Sequence, residues 1–362
     1  MAGNGLRVGV VGVGFGTRVH VPAFQSEDWE VAAICSRTQA NVAKAAEEHG
    51  ISHVFTDYRE LIASPDVDAV AVVTPPVSHE KITLAALAAG KHVLCEKPMS
   101  MSGSEAVRMR DAANQRGLTA MIAHEFRFTP QRAHVKMLID EGYLGDVETV
   151  SVTASLGHAR GASPGALRWQ SEAGMGGGQL AGIGSHYIDS LRYWLGDVIS
   201  VSGTLGSLNP ERTDASGAIV VADTDDSFSV RLRFARGTEC TFSYTSNAPV
   251  SLGVSTHIHG NEATLSAPQA GLNPDPESVV LGGKKGDQEL RAIPLPEVLA
   301  PFKDARDGRL MPFRLLIREF ERGIREGTSP GPSFADGVAC QQIMDAVHES
   351  SRTGATIDLG QV

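Results

Sequence analysis

The chain has 362 residues, 42% hydrophobic and 20% charged, and carries a formal net charge of −10. That length accommodates two domains, each able to bury its own core. The acidic balance excludes a nucleic-acid or anionic-membrane surface, which needs clustered lysine and arginine, and no apolar run reaches the length of a membrane span.

The amino terminus, "MAGNGLRVGVVGVG", enters a strand almost at once and lacks the apolar core of a secretion signal. The first strand feeds "GVGFGTRVH". Here Gly12 and Gly14 match the first two glycines of a dinucleotide-binding loop, one for the tight turn and one for close backbone approach to a pyrophosphate. Phe15 follows, and Gly16 stands one residue ahead of the third glycine position, which falls on Thr17. His20 is expected to pack beneath this loop. The second strand, "EVAAICS", ends in Ser36 and Arg37. A hydroxyl and a guanidinium in place of a carboxylate suit the 2′-phosphate of NADP, with NAD also admissible.

Apolar runs at "DAVAVVT", "KHVLCE" and "LTAMIAH" then alternate with helix-period segments at Ala40–His49, His79–Ala89 and Ser104–Gln115. Ser102 with Glu105 forms a capping box for the last of these. Near-continuous apolar strands separated by helices predict a doubly wound parallel sheet over residues 1–125. One of these strands, His92–Cys95, stops on Glu96, Lys97 and Pro98. A lysine at the carboxyl end of a buried strand points to chemistry in the crevice beyond it.

After Pro130 a helix from Gln131 to about Glu141 leads into long alternating runs, including a hairpin around Ala235–Gly237. Residues 126–362 are therefore expected to form an α+β domain on a large, mostly antiparallel open-faced sheet. Its helices are predicted at Ser185–Leu195, Pro312–Glu326 and Ser333–Ser351, the last free to pack back on the first domain. The Pro- and Gly-rich run from Asn261 to Arg309 reads as loop. Asp223, Asp225 and Asp226 read as a solvated turn. His20, His124 and His158 lack metal-ligand spacing, and His257 and His259 share one strand face without a third ligand.

Together, "GVGFGTRVH", "VVTPPVSHEKITLAALAAGKHVLCEKPMS", "EFRFTP", "GGGQLAGIGSHYIDSLRYWLG" and the closing "PSFADGVACQQIMDAVHESSRTGATIDL" resemble the Gfo/Idh/MocA oxidoreductases, the group of glucose–fructose oxidoreductase and inositol dehydrogenase. The resemblance runs in order along the whole chain. It implies a Rossmann domain, a substrate and oligomerisation domain, and NAD(P)-dependent hydride transfer at a hydroxyl or keto group of a sugar or cyclitol. It implies that Lys97 is the catalytic lysine and that Glu96 lies near the nicotinamide ribose. It places Thr74 and Pro75 beside the nicotinamide, matches His79 to the cofactor-site histidine that opens the next helix, and makes His186 an active-site histidine. Where the family carries an aspartate four residues before that histidine, this chain has Gly182. Glu125 is a candidate substitute acid and Asp189 a weaker one. Arg168 and Trp169 fall in a loop that the family places over its site, and Tyr187 is a further candidate substrate contact. From its position Ser185 is expected to cap the helix and to set His186 in its first turn. A homodimer or homotetramer through the second domain's sheet, in the cytoplasm, is expected. A redox-recycling NAD-dependent glycosidase and a non-catalytic NAD(P) sensor share the fold and stand as alternatives.

Overall fold

Six short strands, almost wholly apolar, make the first sheet: β1 (Arg7–Val11), β2 (Glu30–Cys35), β3 (His53–Phe55), β4 (Ala69–Val72), β5 (His92–Cys95) and β6 (Ala120–Ile122). In this computed structural model, which describes residues 5–157, 165–271 and 278–360, they pair in parallel in the order β3-β2-β1-β4-β5-β6. Val8, Val10, Val70, Val72, Val93 and Leu94 are fully buried, as expected of strands covered on both faces. The chain leaves β1 in one direction and resumes from β4 in the other, so the strand order reverses between them. That reversal opens a crevice at the carboxyl ends of β1 and β4.

Helices α1 (Val21–Ser26), α2 (Gln39–His49), α3 (Tyr58–Ala63), α4 (His79–Ala88) and α5 (Gly103–Arg116) connect these strands. The Ser102 hydroxyl accepts from the Glu105 N–H, as the capping box predicts. The return arm of the box differs: Glu105 accepts from the N–H of Met101 (2.9 Å).

The chain divides into two compact units, Met1–Glu125 with Asp304–Gln341, and Phe126–Lys303 with Gln342–Val362. Within the first, helix α8 (Leu310–Glu326) buries Phe313, Leu316, Ile317 and Phe320. The segment after it runs along the otherwise open edge of β6, where Thr119 Oγ1 donates to the Thr328 carbonyl (2.9 Å) and the Ile122 N–H to that of Pro332 (3.0 Å). An exposed strand edge is thereby covered. Phe334 and Val338, from the start of helix α9 (Phe334–Thr353), complete this core.

The second unit holds α6 (Pro130–Asp140), α7 (Ser185–Leu195) and a nine-stranded sheet. Its strands are β7 (Val147–Ser155), β9 (Val198–Gly206), β12 (Ser227–Phe234), β13 (Glu239–Thr245), β14 (Gly253–Gly260), β15 (Ala263–Gln269), β16 (Val280–Lys284), β17 (Arg291–Ile293) and β18 (Ile357–Asp358). Their order is β17-β16-β15-β14-β7-β13-β12-β9-β18, with only β7 and β13 parallel. Along β12, Phe228, Val230, Leu232 and Phe234 are buried, while Ser229, Arg231 and Arg233 face outward, the period of two that marks a one-sided sheet. The hairpin turns at Ala235–Gly237, with Gly237 at φ 91°. Strands β8 (Gly165–Ala166), β10 (Glu211–Thr213) and β11 (Ile219–Val221) form a small separate sheet.

The run 261–309 is not the loop expected of it, because β15, β16 and β17 extend the large sheet through it. Gly282 and Gly283 within it are closely packed: a Cβ on Gly282 would lie 2.5 Å from Ile293 Cδ1 and 2.8 Å from the Tyr143 hydroxyl. His158 lies outside the described residues. Among the described residues, no helix is long and apolar enough to cross a membrane.

Candidate active site

The loop after β1 is shaped by its glycines. Gly12 has φ 124°, and a Cβ there would fall 2.1 Å from the Val73 carbonyl oxygen, so only glycine fits between the ends of β1 and β4. Gly14 is exposed, and a Cβ on it would meet nothing within 4 Å, which leaves the open backbone cradle that a pyrophosphate needs. Gly16 lies against β1, with its Cβ position 3.1 Å from Val10 Cγ1. It does the helix–strand packing usually assigned to the third glycine. The helix here opens as a π-turn, Gly16–His20, which accommodates a glycine displaced by one residue. Phe15 is half-buried between the guanidinium groups of Arg18 and Arg309, each 5.5 Å from its ring centre. At the end of β2, Ser36 is half-buried, whereas Arg37 is exposed and makes no hydrogen bond or ion pair among the described residues. These residues fit a dinucleotide.

Beyond β5, Glu96 is buried and fully used. Its Oε1 lies 2.8 Å from His20 Nε2, and its Oε2 accepts from the backbone N–H of Lys97 (3.1 Å). Burial works to raise the Glu96 pKa. The His20 hydrogen bond, with the charges of His20 and Lys97, outweighs it and holds the carboxylate below its ordinary range. His20 is fully buried against Phe313 (ring centres 4.4 Å) and Phe15 (5.8 Å). It packs beneath the nucleotide loop as expected, and it also fixes Glu96, a link over 76 residues that no local pattern reveals. Lys97 is half-buried and starts the turn through Pro98.

His79 is fully buried, with Nδ1 3.0 Å from the Pro98 carbonyl and Nε2 2.6 Å from that of Thr74. Burial lowers its pKa against the pull of the Thr74 carbonyl, Glu96 and the Pro98 carbonyl. It ties the end of β4 to the turn that carries Lys97. Thr74 and Pro75 are half-buried at that strand end, and the Thr74 hydroxyl accepts from Ser78 Oγ (2.7 Å). Glu125, at the foot of β6, is 3% exposed. Its carboxyl group is pushed up to about 8 by burial first and by the charge of Glu96 second, against the pull of Lys97 and Arg309.

In the second unit, His186 lies on α7 with its imidazole stacked on Phe126 (3.9 Å, 13°). The other face of the assembly continues through Arg132, whose guanidinium is 4.5 Å from the ring centres of both Phe126 and Tyr187. Ser185 is not an N-cap. A π-turn, Leu180–Gly184, runs straight into α7, and Ser185 Oγ donates to the Ala181 carbonyl (2.6 Å). The true amino end of the coil is at Gln179 and Leu180, whose N–H groups donate to Asp225 Oδ2 (3.1 and 2.8 Å). His186 therefore does not sit at an open positive helix end.

Of the aspartates 223, 225 and 226, the first is exposed, as a solvated turn predicts, whereas Asp225 is half-buried and Asp226 buried. Asp223 accepts from the Ala173 N–H (2.7 Å), Asp225 caps the coil before α7, and Asp226, 3% exposed, accepts from Leu208 and Asn209 (2.8 and 2.6 Å). Each anchors a different loop. Asp189 is fully buried in a bidentate pair with Arg127 (2.7 and 2.6 Å), which removes it as a substitute acid. Tyr187 is 2% exposed, its hydroxyl donating to Gln269 Oε1 (3.3 Å) and its ring against Phe242 (ring centres 5.1 Å). Gly182 is half-buried, and a Cβ there would meet nothing within 4 Å. Arg168 is exposed and Trp169 half-buried at the start of a short 3-10 turn.

Comparison with known proteins settles the family. Residues 6–124 match the NAD-binding Rossmann fold of the Gfo/Idh/MocA oxidoreductase family, and residues 136–359 match its C-terminal alpha/beta domain. The chain belongs to this family. It is 30% identical over 389 residues to the levoglucosan dehydrogenase of Pseudarthrobacter phenanthrenivorans, covering 99% of both chains. It is 28% identical to D-xylose 1-dehydrogenase (NADP+) 2 of Haloferax volcanii, covering 97% of this chain and 99% of that one. The solved structure of levoglucosan dehydrogenase in complex with NADH and levoglucosan superimposes with a TM-score of 0.88 at 28% identity, covering 98% of this chain and all of that one. The protein is an NAD(P)-dependent oxidoreductase with an NAD(P)-binding Rossmann domain.

Proposed function

We propose that the protein interconverts a secondary hydroxyl and a keto group on a sugar, cyclitol or related metabolite, with NADP preferred and NAD accepted. The observation that carries this reading is the turn after β5. A half-buried lysine stands at the end of β5, one strand beyond the switch point, and the neighbouring carboxylate is tied to His20 and to the lysine's own backbone N–H. The names of the dehydrogenases similar to this chain support the substrate class. Arg37 supports the NADP preference, being an exposed guanidinium at the end of β2 with no hydrogen bond or ion pair among the described residues.

When bound, the nicotinamide supplies the hydride acceptor or donor at its ring C4. Gly12, Gly14, Phe15, Gly16, Ser36, Arg37, Thr74, Pro75 and Glu96 form its site, with His79 holding two of the loops. Lys97 as a free amine takes the proton of the substrate hydroxyl, and as an ammonium it polarises the carbonyl in the reverse direction. His186 hydrogen-bonds the substrate oxygen, held in orientation by Phe126. Trp169 offers a flat face for a sugar ring, and Arg168 a cation for a hydroxyl or acid group.

On the same reading the enzyme works in the cytoplasm as a homodimer or homotetramer, paired through the outward Ser, Thr, His and Arg side chains of the large sheet. The test is reduction of NADP+ and NAD+ against a panel of levoglucosan, D-xylose, inositols and sugar acids. Turnover of at least one polyol, faster with NADP+, is expected. Tight cofactor binding with no turnover on the whole panel would contradict the reading.

A further inference from the structure

The imidazole of His186 is the end plate of a column of flat groups. It stacks on Phe126 (ring centres 3.9 Å, planes 13° apart), and the Arg132 guanidinium lies 4.5 Å from the same ring centre. Two groups that near one ring centre occupy its opposite faces. Arg132 in turn lies 4.5 Å from the ring centre of Tyr187, which meets Phe242 of β13 (5.1 Å). Trp194 Nε1, on α7, donates to the Arg132 carbonyl (3.1 Å) and ties α6 to α7. Phe126, Arg132, His186 and Tyr187 are all buried. Within this column Arg132 is the fixed charge. Its two Nη atoms are buried, with no hydrogen-bond partner of ordinary geometry among the described residues. A cation buried without a counter-ion is costly, and the two ring faces offset only part of that cost. An aliphatic side chain would fill the same gap without it, so packing alone does not account for an arginine here.

We propose that Arg132 is a positioning residue for His186: a flat cation that holds Phe126 against the imidazole and anchors the column, through Tyr187, on the large sheet. This rests on the substrate contact proposed above for His186. A guanidinium is planar like the rings on either side of it, and its charge is drawn to the negative faces of both. It therefore fixes the planes of its neighbours, where an aliphatic side chain would only occupy space. Arg132 stands in the first turn of α6, and it grips His186 from two sides. Phe126 covers the imidazole face, and Tyr187 is the next residue along α7. With the column intact, the imidazole presents its nitrogens in one orientation. With the column loosened, the ring turns about its own side-chain bonds and loses its alignment with a substrate oxygen. Arg132 acts only through the rings, so its loss falls on kcat and not on affinity for the nucleotide.

The test reads the imidazole directly. Carbon-13 labelling of histidine in the full chain gives a ring Hε1–Cε1 NMR signal for His186, assigned by its loss in His186→Asn. The ring current of Phe126 should hold that signal upfield of free histidine, and Phe126→Leu should release it. Arg132→Met should move the signal the same way. Arg132→Lys, which keeps a cation but not the plane, should move it less. With a panel sugar that the wild type oxidises, Arg132→Met should lower kcat by at least ~10-fold and leave NADPH affinity, read by fluorescence, unchanged. Arg132→Lys should recover part of that kcat. An arginine that only supports the fold would lower the Tm of Arg132→Met while leaving the His186 signal and kcat in place, and that result overturns the proposal. Should Arg132→Met fail to fold, Arg132→Lys decides by the same signal: a shift supports the proposal and an unmoved signal overturns it. Absence of wild-type turnover on every sugar, with the signal shifting as described, would instead remove the substrate contact of His186 and leave Arg132 as the holder of its ring.

Discussion

Lys97 is the residue on which the proposed chemistry rests, and Glu96 beside it faces His20 and the Lys97 backbone N–H. Lys97→Met should therefore reduce turnover by about 10²-fold or more while leaving NADPH affinity intact, measured by steady-state kinetics beside fluorescence titration. Glu125 also makes a statement about stability. Its folded pKa, about 8, exceeds its ordinary 4.5. Between those values the folded chain binds more protons than the unfolded one, so stability falls as pH rises through the window and levels off above it. The slope approaches about 1.4 kcal/mol per pH unit for one such group. Glu125→Gln should remove this slope, so the variant's Tm should overtake that of the wild type as pH rises toward 8. Equal pH dependence in the two proteins would contradict the assignment. Sequence reading singled out Lys97, Glu96 and Glu125 because motif order put them just beyond the ends of β5 and β6. It missed the His20–Glu96 bond and the burial of Tyr187, since contacts 76 or more residues apart leave no local signal.

At the level of elements, the nucleotide loop and the coil into α7 carry the site, and each separates fold from function. Gly12→Ala should cost stability, because its Cβ would overlap the Val73 carbonyl at a positive φ. Gly14→Ala meets open space and should fold with an unchanged Tm while binding NADPH more weakly. Thermal melts beside fluorescence titrations distinguish the two. Asp225→Ala should lose about 1 kcal/mol by uncapping Gln179 and Leu180, and should lower turnover through the displaced coil. The sequence made Ser185 look like the cap because serine before a helical pattern ordinarily is one. The π-turn of Leu180–Gly184 hid the real start, as a glycine-rich run without an apolar stripe does not read as helix. The strands of 261–309 were hidden in the same way by Gly282, Gly283 and the prolines. The doubly wound sheet, by contrast, was legible from its valine-rich runs alone, because strands buried on both faces have no polar alternation to confuse.

Across the whole molecule, the first compact unit holds the nucleotide loop, Lys97 and Glu125, and the second holds His186. The large sheet leaves one face unhelped by its own core. Arg231, Arg233, His257 and His259 stand outward beside threonines and serines, and this is the face through which the proposed pairing would run. Analytical ultracentrifugation should find a dimer or tetramer, and Thr241→Lys with Ser202→Lys should shift it toward monomer. Monomeric wild type at micromolar concentration would contradict this arrangement.

The most direct test of the account is a single-turnover experiment following nicotinamide absorbance, with wild type and Lys97→Met each mixed with NADP+ and a panel sugar that the wild type oxidises. The account predicts a full reduction burst for the wild type and none on the same timescale for the variant, although both bind NADPH equally. A Lys97→Met burst at the wild-type rate would contradict it.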